Sequence, residues 1–477
     1  MYTKKKEEKN ILHSTKTKAT DSTPPRSTSK DKYLSKIIQI TWPVLIELIL
    51  TSLFSMIDMM MLGNIPNTAY AASAVSAVGL SNQPLFLGLA VVQALNVGGT
   101  AIIARYYGAN QKDRMENVLK HVVIISLLFS LPIAFFGYMN AENILRFMGG
   151  QGETIRIGVT YFRIICISYL FQSFNISLTG ALRGIGETRA PMFINVRVNL
   201  MNVFGNAVLI YGLFRFPQMG IAGAALSTAG ANFLASIFLF RYITAGKSEL
   251  TLNLKKKFKF NRKTIKDLMH IGMPSAAEKF VVRLGVILFV QIVSGLGTVV
   301  FAAHQIGMSI LSLSFTLGQA FGISSSALVG QSLGKKKSDD AVIYAEKTGK
   351  ISAIFGIGLG ILLFVFADNI MSLYTNDALI IEKGALALRI LSAVQPFQAH
   401  RFVSAGSLRG AGDTFFPFIA SFIGVLLIRV GFAYLFVQVL NLGLVGAWLA
   451  IAIDQMIRWV VMGTRFKSGK WKNVVIN

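Results

Sequence analysis

The chain is poor in the residues that build soluble enzymes. Among its 477 residues are one cysteine, five histidines and 22 Asp and Glu. The lone Cys166 excludes an internal disulfide and a cysteine-based metal site, and leaves the redox compartment undecided. The histidines are scattered without acidic neighbours at metal-ligand spacing, and no nucleophile elbow occurs, so enzyme activity is not expected. Charged residues are 14% of the chain, against about 25% in soluble domains. Gly330-Gln331-Ser332-Leu333-Gly334-Lys335 imitates a phosphate loop, but its glycines stand too close together and no Ser or Thr follows the lysine. No ATP motor and no cofactor are therefore expected, which leaves an ion gradient as the energy source.

What abounds is apolar surface. Hydrophobic residues make up 53% of the chain and mean hydropathy is +0.56, which places it in a lipid bilayer. Twelve apolar stretches of about 20 residues are expected, near 37–63, 76–104, 121–139, 155–181, 191–213, 218–243, 270–294, 299–329, 346–367, 381–408, 414–438 and 444–464. All must be helical, because lipid leaves an open strand edge unsatisfied.

The net charge of +25 is placed in alternate loops, at Arg105 to Lys120, Arg183 to Arg189, Lys255 to Lys259 and Lys335 to Lys337, and at both ends. The positive-inside rule then puts both termini in the cytoplasm of a multi-pass protein of the inner (plasma) membrane. Aromatics are not interleaved along one basic face, so nucleic acid is not an expected partner. The lipid bilayer is.

The phrase Gly180-Ala181-Leu182-Arg183-Gly184-Ile185-Gly186-Glu187-Thr188 returns 226 positions later as Gly406-Ser407-Leu408-Arg409-Gly410-Ala411-Gly412-Asp413-Thr414. Pro43 and Glu47 return 231 positions later as Pro274 and Glu278. Two six-helix copies follow, and an even helix number makes them parallel about an axis along the membrane normal. The expected division is a basic disordered tail over 1–36, lobes over 37–245 and 269–466, a basic linker over 246–268 and a cytoplasmic tail over 467–477.

Ionisable residues inside spans are the functional candidates, since each costs about 2.5–3.5 kcal/mol at the bilayer centre. Glu47, Thr51, Phe54 and Asp58 share one face of the first helix, with the two acids about 16 Å apart along its axis. Asp58 corresponds to Phe289 in the second copy, so its carboxylate is unique to the first. An unmatched acid suits a proton or cation site. The competing reading is an ion pair with Arg163 or Arg197.

Glu47 and Glu278 each follow a helix proline by four residues, which fits a structural role at a freed carbonyl or a second ion or substrate site. Asn195, Asn199, Asn202 and Asn206 form a stripe facing Asp58, or ordinary helix glue. Gln395 and His304 are further cavity candidates, along with Gln305, Gln398, His400, Arg401, Arg429 and Asp454, although such residues commonly tie helices together. Met56, Met59, Met60 and Met61 fit an adaptable cavity or plain packing. The doubled phrase is expected to act as a turn, interface anchor and helix cap outside the binding site.

With Trp42-Pro43, Asp58-Met59-Met60-Met61-Leu62-Gly63, the doubled phrase, Ala302-Ala303-His304-Gln305-Ile306 and Arg465-Phe466-Lys467-Ser468-Gly469-Lys470-Trp471, the chain resembles the multidrug and toxic compound extrusion (MATE) transporters, in particular their DinF-like branch. The resemblance implies two six-helix bundles around a V-shaped cavity, alternating access, and export of organic cations against protons or sodium by a monomer. It places the family's first-helix acid on Asp58. Some members carry Asn and Asp on the fifth helix where this chain has Asn202 and Asn206; the missing carboxylate favours protons, with sodium near Asp58 as the alternative. The second-lobe acids of sodium-coupled members find no match unless Glu278 serves. Two other readings stand beside this one: a flippase for a lipid-linked saccharide, carried by Arg163, Arg197, Arg283, Arg401 and Arg429, and a receptor or scaffold that no longer transports.

Overall fold

The computed structural model of the protein describes residues 29–253, 255–256 and 258–474. Most of the expected N-terminal tail, 1–28, lies outside the described residues. The first lobe contains α1 (Ser29–Gly63), α2 (Thr68–Gly108), α3 (Lys112–Met139), α4 (Gly152–Ile185), α5 (Arg189–Tyr211) and α6 (Ile221–Thr244). The second contains α7 (Arg262–Ser294), α8 (Thr298–Gly334), α9 (Ser338–Val365), α10 (Ala378–Ser392 continued by Gln395–Gly410), α11 (Phe415–Val439) and α12 (Gly443–Lys467). Each helix satisfies its own backbone, as hydrocarbon demands.

Ten of these twelve are long and apolar enough to cross a membrane by themselves. The other two, α7 and α10, are helical where expected but fall short for different reasons. α7 opens on the charged run Arg262-Lys263-Thr264-Ile265-Lys266-Asp267, and α10 is interrupted between Ser392 and Gln395 and carries Gln398, His400 and Arg401. α11 contains π-helical stretches at Phe422–Arg429 and Leu435–Val439, whereas its partner α5 is regular throughout.

Three boundaries differ from expectation. α1 begins at Ser29, inside the expected tail, and its first turns are anchored across the lobes: Tyr33 donates to Asp340 at 2.7 Å and its ring packs edge-on against Tyr344. α7 begins at Arg262, inside the expected linker, because the Asn261 side chain accepts from Lys263 N and Thr264 N. The segment 467–477 is not a free tail over its described part, since Lys470–Asn473 forms a turn with Trp471 fully buried and Arg105 donates to the Val474 carbonyl at 2.9 Å.

The lobes meet at the end of the molecule that carries the basic loops. Thr41 donates to Ser324 at 2.9 Å, and Gln331 Nε2 donates to the Gly184 carbonyl at 3.0 Å. Gly108 and Gly334, which are repeat partners, make the crossing close: a Cβ on Gly108 would lie 2.0 Å from the Gln331 carbonyl oxygen, and one on Gly334 2.0 Å from that of Arg105. Only glycine permits this approach. Nearer the middle of the helices, Lys279 of α7 donates to Gln93 of α2 at 2.5 Å.

Candidate functional site

The half of α1 farther from the basic end carries Asp58, half-buried against α5 and α6. Asn206 donates from Nδ2 to Asp58 Oδ1 at 2.7 Å. With its amide nitrogen turned toward Asp58, Asn202 donates to both carboxylate oxygens at 3.2 Å while its oxygen accepts from Ser227 Oγ and Thr228 N at 3.1 Å. Spacing on α5 explains the pair, since residues four apart stand on one face. Ser227 and Thr228 of α6 then fix Asn202 from behind. Sequence reasoning missed this supporting pair because nothing in a Ser-Thr dipeptide marks which helix it will meet.

Asp58 forms no ion pair among the described residues, and the competing reading of a bond to Arg163 or Arg197 is not what the structure places there. Arg163 donates to the Tyr138 carbonyl and lies over the Tyr138 ring. Arg197 lines a lateral groove between α5 and α6. The other acids named inside spans are all paired. Glu47 meets Arg183 at 2.8 Å and accepts from Asn195 Nδ2 at 2.5 Å. Arg409 Nη2 lies 2.8 Å from both Glu278 oxygens, and Ser421 donates to Glu278 at 3.1 Å. Asp454 takes Arg429 and Arg458.

Several candidate positions are thereby moved. The asparagine stripe splits: Asn195 serves Glu47, Asn199 donates to its own helix at the Asn195 carbonyl, and only Asn202 and Asn206 reach Asp58. Thr51 is exposed, with its hydroxyl donating to the Glu47 carbonyl one turn back. Glu278 is buried in its ion pair, so it presents no free carboxylate to a cavity. His304 is fully buried among Phe289, Phe301 and Trp448, and Gln395 is buried with Ser314 as donor to its Oε1. Both are packing elements of the second lobe because they sit on faces turned toward neighbouring helices. The methionines divide as well, Met59 and Met61 packing with Tyr161 and Met56 and Met60 remaining exposed.

The doubled phrase does more than turn the chain. Gly186 and Gly412 both take φ of 87°, the expected left-handed turn. Its arginines, however, supply the partners of Glu47 and Glu278. Its threonines do not cap the next helix: Thr188 donates to the Ile40 carbonyl at 3.1 Å and Thr414 to the Ile271 carbonyl at 2.7 Å. Ile40 and Ile271 each stand three residues before the helix proline, where the backbone ladder is interrupted. Each copy of the phrase therefore holds the proline-bearing first helix of its lobe at two points. The signal was present in the sequence, since an arginine and an acid repeat together, but their contact required the fold.

No group of three or more His, Cys, Asp and Glu at metal-binding geometry occurs among the described residues. Around Asp58 the amide nitrogens of Asn202 and Asn206 point inward, so the carboxylate is met by hydrogen-bond donors.

Residues 43–208 and 274–435 match the MatE family. Over 444 residues, covering 92% of this chain and 93% of the relative, the chain is 29% identical to a "Probable multidrug resistance protein NorM" of Thermotoga maritima. It is 26% identical over 447 residues to "Multidrug resistance protein NorM" of Vibrio cholerae, covering 91% and 95%. Its fold matches a solved structure described as an outward-facing conformation of a multidrug resistance MATE family transporter, with a TM-score of 0.84 at 23% identity, over 93% of this chain and 97% of that one. One matched segment lies in each lobe, covering its first five helices, and the chain belongs to the MatE family of multi-pass membrane transporters.

Proposed function

We propose that this transporter exports small organic cations and drug-like compounds in exchange for protons, working as a monomer by alternating access. The observation that carries the reading is the state of Asp58: it is held by two asparagines without a cationic partner, while Glu47, Glu278 and Asp454 are all ion-paired. A single unneutralised carboxylate inside a membrane protein has a strong preference for a proton or a bound cation. The names of the curated relatives support the drug substrate.

The basic loops assign the end at which the lobes meet to the cytoplasm. In the proposed cycle, protonation of Asp58 from the outer side neutralises it, and its hold on a cationic substrate is lost. Proton and substrate thus weaken each other's binding, as linkage requires. The Asn202 and Asn206 amides are neutral donors that can hold the carboxyl group in either protonation state, so α1 and α5 stay together throughout the cycle. Sodium coupling is disfavoured by the lack of a second carboxylate, because Asn206 stands where one would serve. The arginines proposed for a saccharide flippase do not form one stripe: Arg401 and Arg429 are buried within the second lobe while Arg197 faces the lateral groove.

The test is uptake of a fluorescent organic cation into proteoliposomes under an imposed pH gradient or an imposed sodium gradient. Flux driven by the pH gradient and abolished in Asp58→Asn supports the proposal. Sodium-driven flux, or pH-driven flux that survives the substitution, overturns it.

A further inference from the structure

One layer of the second lobe encloses more positive than negative charge. Arg401 of α10, Arg429 of α11 and Arg458 of α12 are each 5% exposed, and Asp454 of α12 is fully buried. Arg429 donates to Asp454 Oδ2 through Nε at 3.0 Å and Nη2 at 2.5 Å, and Arg458 Nη2 donates to the same oxygen at 2.7 Å. One oxygen takes three donors while Asp454 Oδ1 has no hydrogen-bond partner. Arg401 Nε, Arg458 Nε and both ends of the Gln455 amide are likewise buried and without partners. The other buried acids of this lobe are committed elsewhere, Glu278 to Arg409 and Asp413 to Arg465.

These groups occupy one layer of the lobe. Ala405, Ala420 and Met462 pack together in the layer nearer the basic end. Arg401 and Arg458 precede Ala405 and Met462 by four residues, and Gly424 follows Ala420 by four. Because α10 and α12 run toward the basic end and α11 runs away from it, all three stand one turn further out. Gly424 makes the room: a Cβ there would lie 2.4 Å from Arg458 Cγ and 2.5 Å from Asp454 Oδ1. The same stretch of α11 is π-helical, a distortion that recurs at functional sites.

The first lobe shows what this layer looks like when it serves packing alone. Arg401 corresponds to Asn175, and the register of α6 on α12, Gly220-Ile221-Ala222-Gly223-Ala224 on Gly443-Leu444-Val445-Gly446-Ala447, sets Asp454, Gln455 and Arg458 against Ala231, Asn232 and Ala235. There the polar groups close on themselves without charge. Asn175 donates to the Asn232 carbonyl at 2.9 Å, Ser236 donates to Asn175 Oδ1 at 2.9 Å, and Asn232 Nδ2 donates to Ser168 at 3.0 Å. Three guanidiniums against one carboxylate are not needed to join these helices, and an uncompensated buried guanidinium is strongly unfavourable until an anion meets it.

We propose that this layer of the second lobe is a binding site for a small monovalent anion, with Arg401 and Arg458 as its donors. The anion is chloride from the medium or the carboxylate of a transported compound; guanidinium recognition is common to both. The two lobes then have opposite polarity, a carboxylate in the first and an anion-binding arginine cluster in the second.

The test is thermal unfolding of the purified full-length protein in detergent while sodium isethionate, which carries no carboxylate, is replaced by sodium chloride, or by sodium benzoate, at constant ionic strength. Between 1 and 100 mM anion, a midpoint rise of about 2 °C is expected in the wild type and in Arg401→Lys, and none in Arg401→Met. A rise with chloride assigns the site to the inorganic ion, and a rise with benzoate alone assigns it to substrate carboxylates. A response in Arg401→Met equal to that of the wild type, or no response to either anion in the wild type, overturns the proposal. Should Arg401→Met not fold, chlorine-35 line broadening by the wild-type protein, competed by benzoate, reads the same site, and its absence is equally decisive.

Discussion

Arg183 stands 2.8 Å from Glu47, and its repeat partner Arg409 stands 2.8 Å from Glu278, so each lobe ties its proline-bearing helix to the end of its fourth helix by the same ion pair. Both acids are nearly buried and both pairs are reinforced by a polar residue at equivalent positions, Asn195 and Ser421. These contacts hold α1 and α7 near the basic end, while at the other end of α1 Asp58 is held by the uncharged amides of α5.

Removing one member of such a pair leaves the other charged and desolvated. Arg183→Met is expected to lower stability by about 3 kcal/mol, and the double variant Glu47→Leu with Arg183→Met by much less. Thermal unfolding of purified variants measures both. Equal losses in the single and double variants are incompatible with the pairing.

Asp58→Asn retains the shape and hydrogen-bonding capacity of the site but not its titratable group. Folding and membrane insertion are expected to match the wild type, with gradient-driven efflux reduced at least about 100-fold if the proton step is essential. Size-exclusion behaviour and proteoliposome flux separate the two effects. A variant that transports normally rules out Asp58 as the coupling group.

Asn206→Asp restores a second carboxylate 2.7 Å from Asp58 in the present geometry. Two acids beside the Asn202 amide favour a hard cation between them. Sodium is expected to stabilise this variant and to stimulate its flux, while the wild type stays indifferent. Thermal midpoints in sodium against choline salts decide the matter.

The Thr41 and Ser324 hydroxyls lie 2.9 Å apart across the lobe boundary. Cysteines at both positions, in a chain whose native Cys166 is buried, are expected to form a disulfide under mild oxidation. The crosslink should lock the basic end closed and stop transport, with recovery on reduction. Full transport in the crosslinked protein contradicts alternating access through this end.

Gly108→Val places a side chain where the Gln331 carbonyl passes 2.0 Å from the missing Cβ. The lobes must then separate at the basic end, so the arrangement with this end closed is destabilised. Flux is expected to fall while insertion is maintained, and the Thr41 to Ser324 crosslink should form more slowly. An unchanged crosslinking rate argues against the crossing as a gate.

Much of the architecture was legible because hydrophobic length, loop charge and an internal repeat are local properties. The spans, their pairing by repeat and the distinctive position of Asp58 all follow from residues read in order. Where reading failed, the cause was partner choice. Asn195 and Asn206 lie on the same face of one helix, yet a helix neighbour assigns one to Glu47 and the other to Asp58. His304 and Gln395 look like cavity residues until the packing turns them inward. Trp471, in an apparently free tail, is buried because Phe466 stacks on its ring at 5.0 Å.

A twofold-repeated helical membrane protein with one unmatched acid in its first helix follows from residue order alone, because the bilayer forces backbone bonds to be local and makes each buried charge conspicuous. Which charges neutralise one another depends on helix packing. Ion pairs such as Arg183 with Glu47 and Arg409 with Glu278 join residues more than a hundred positions apart, and that pairing leaves Asp58 without a counter-charge among the described residues and one layer of the second lobe with an excess of arginine.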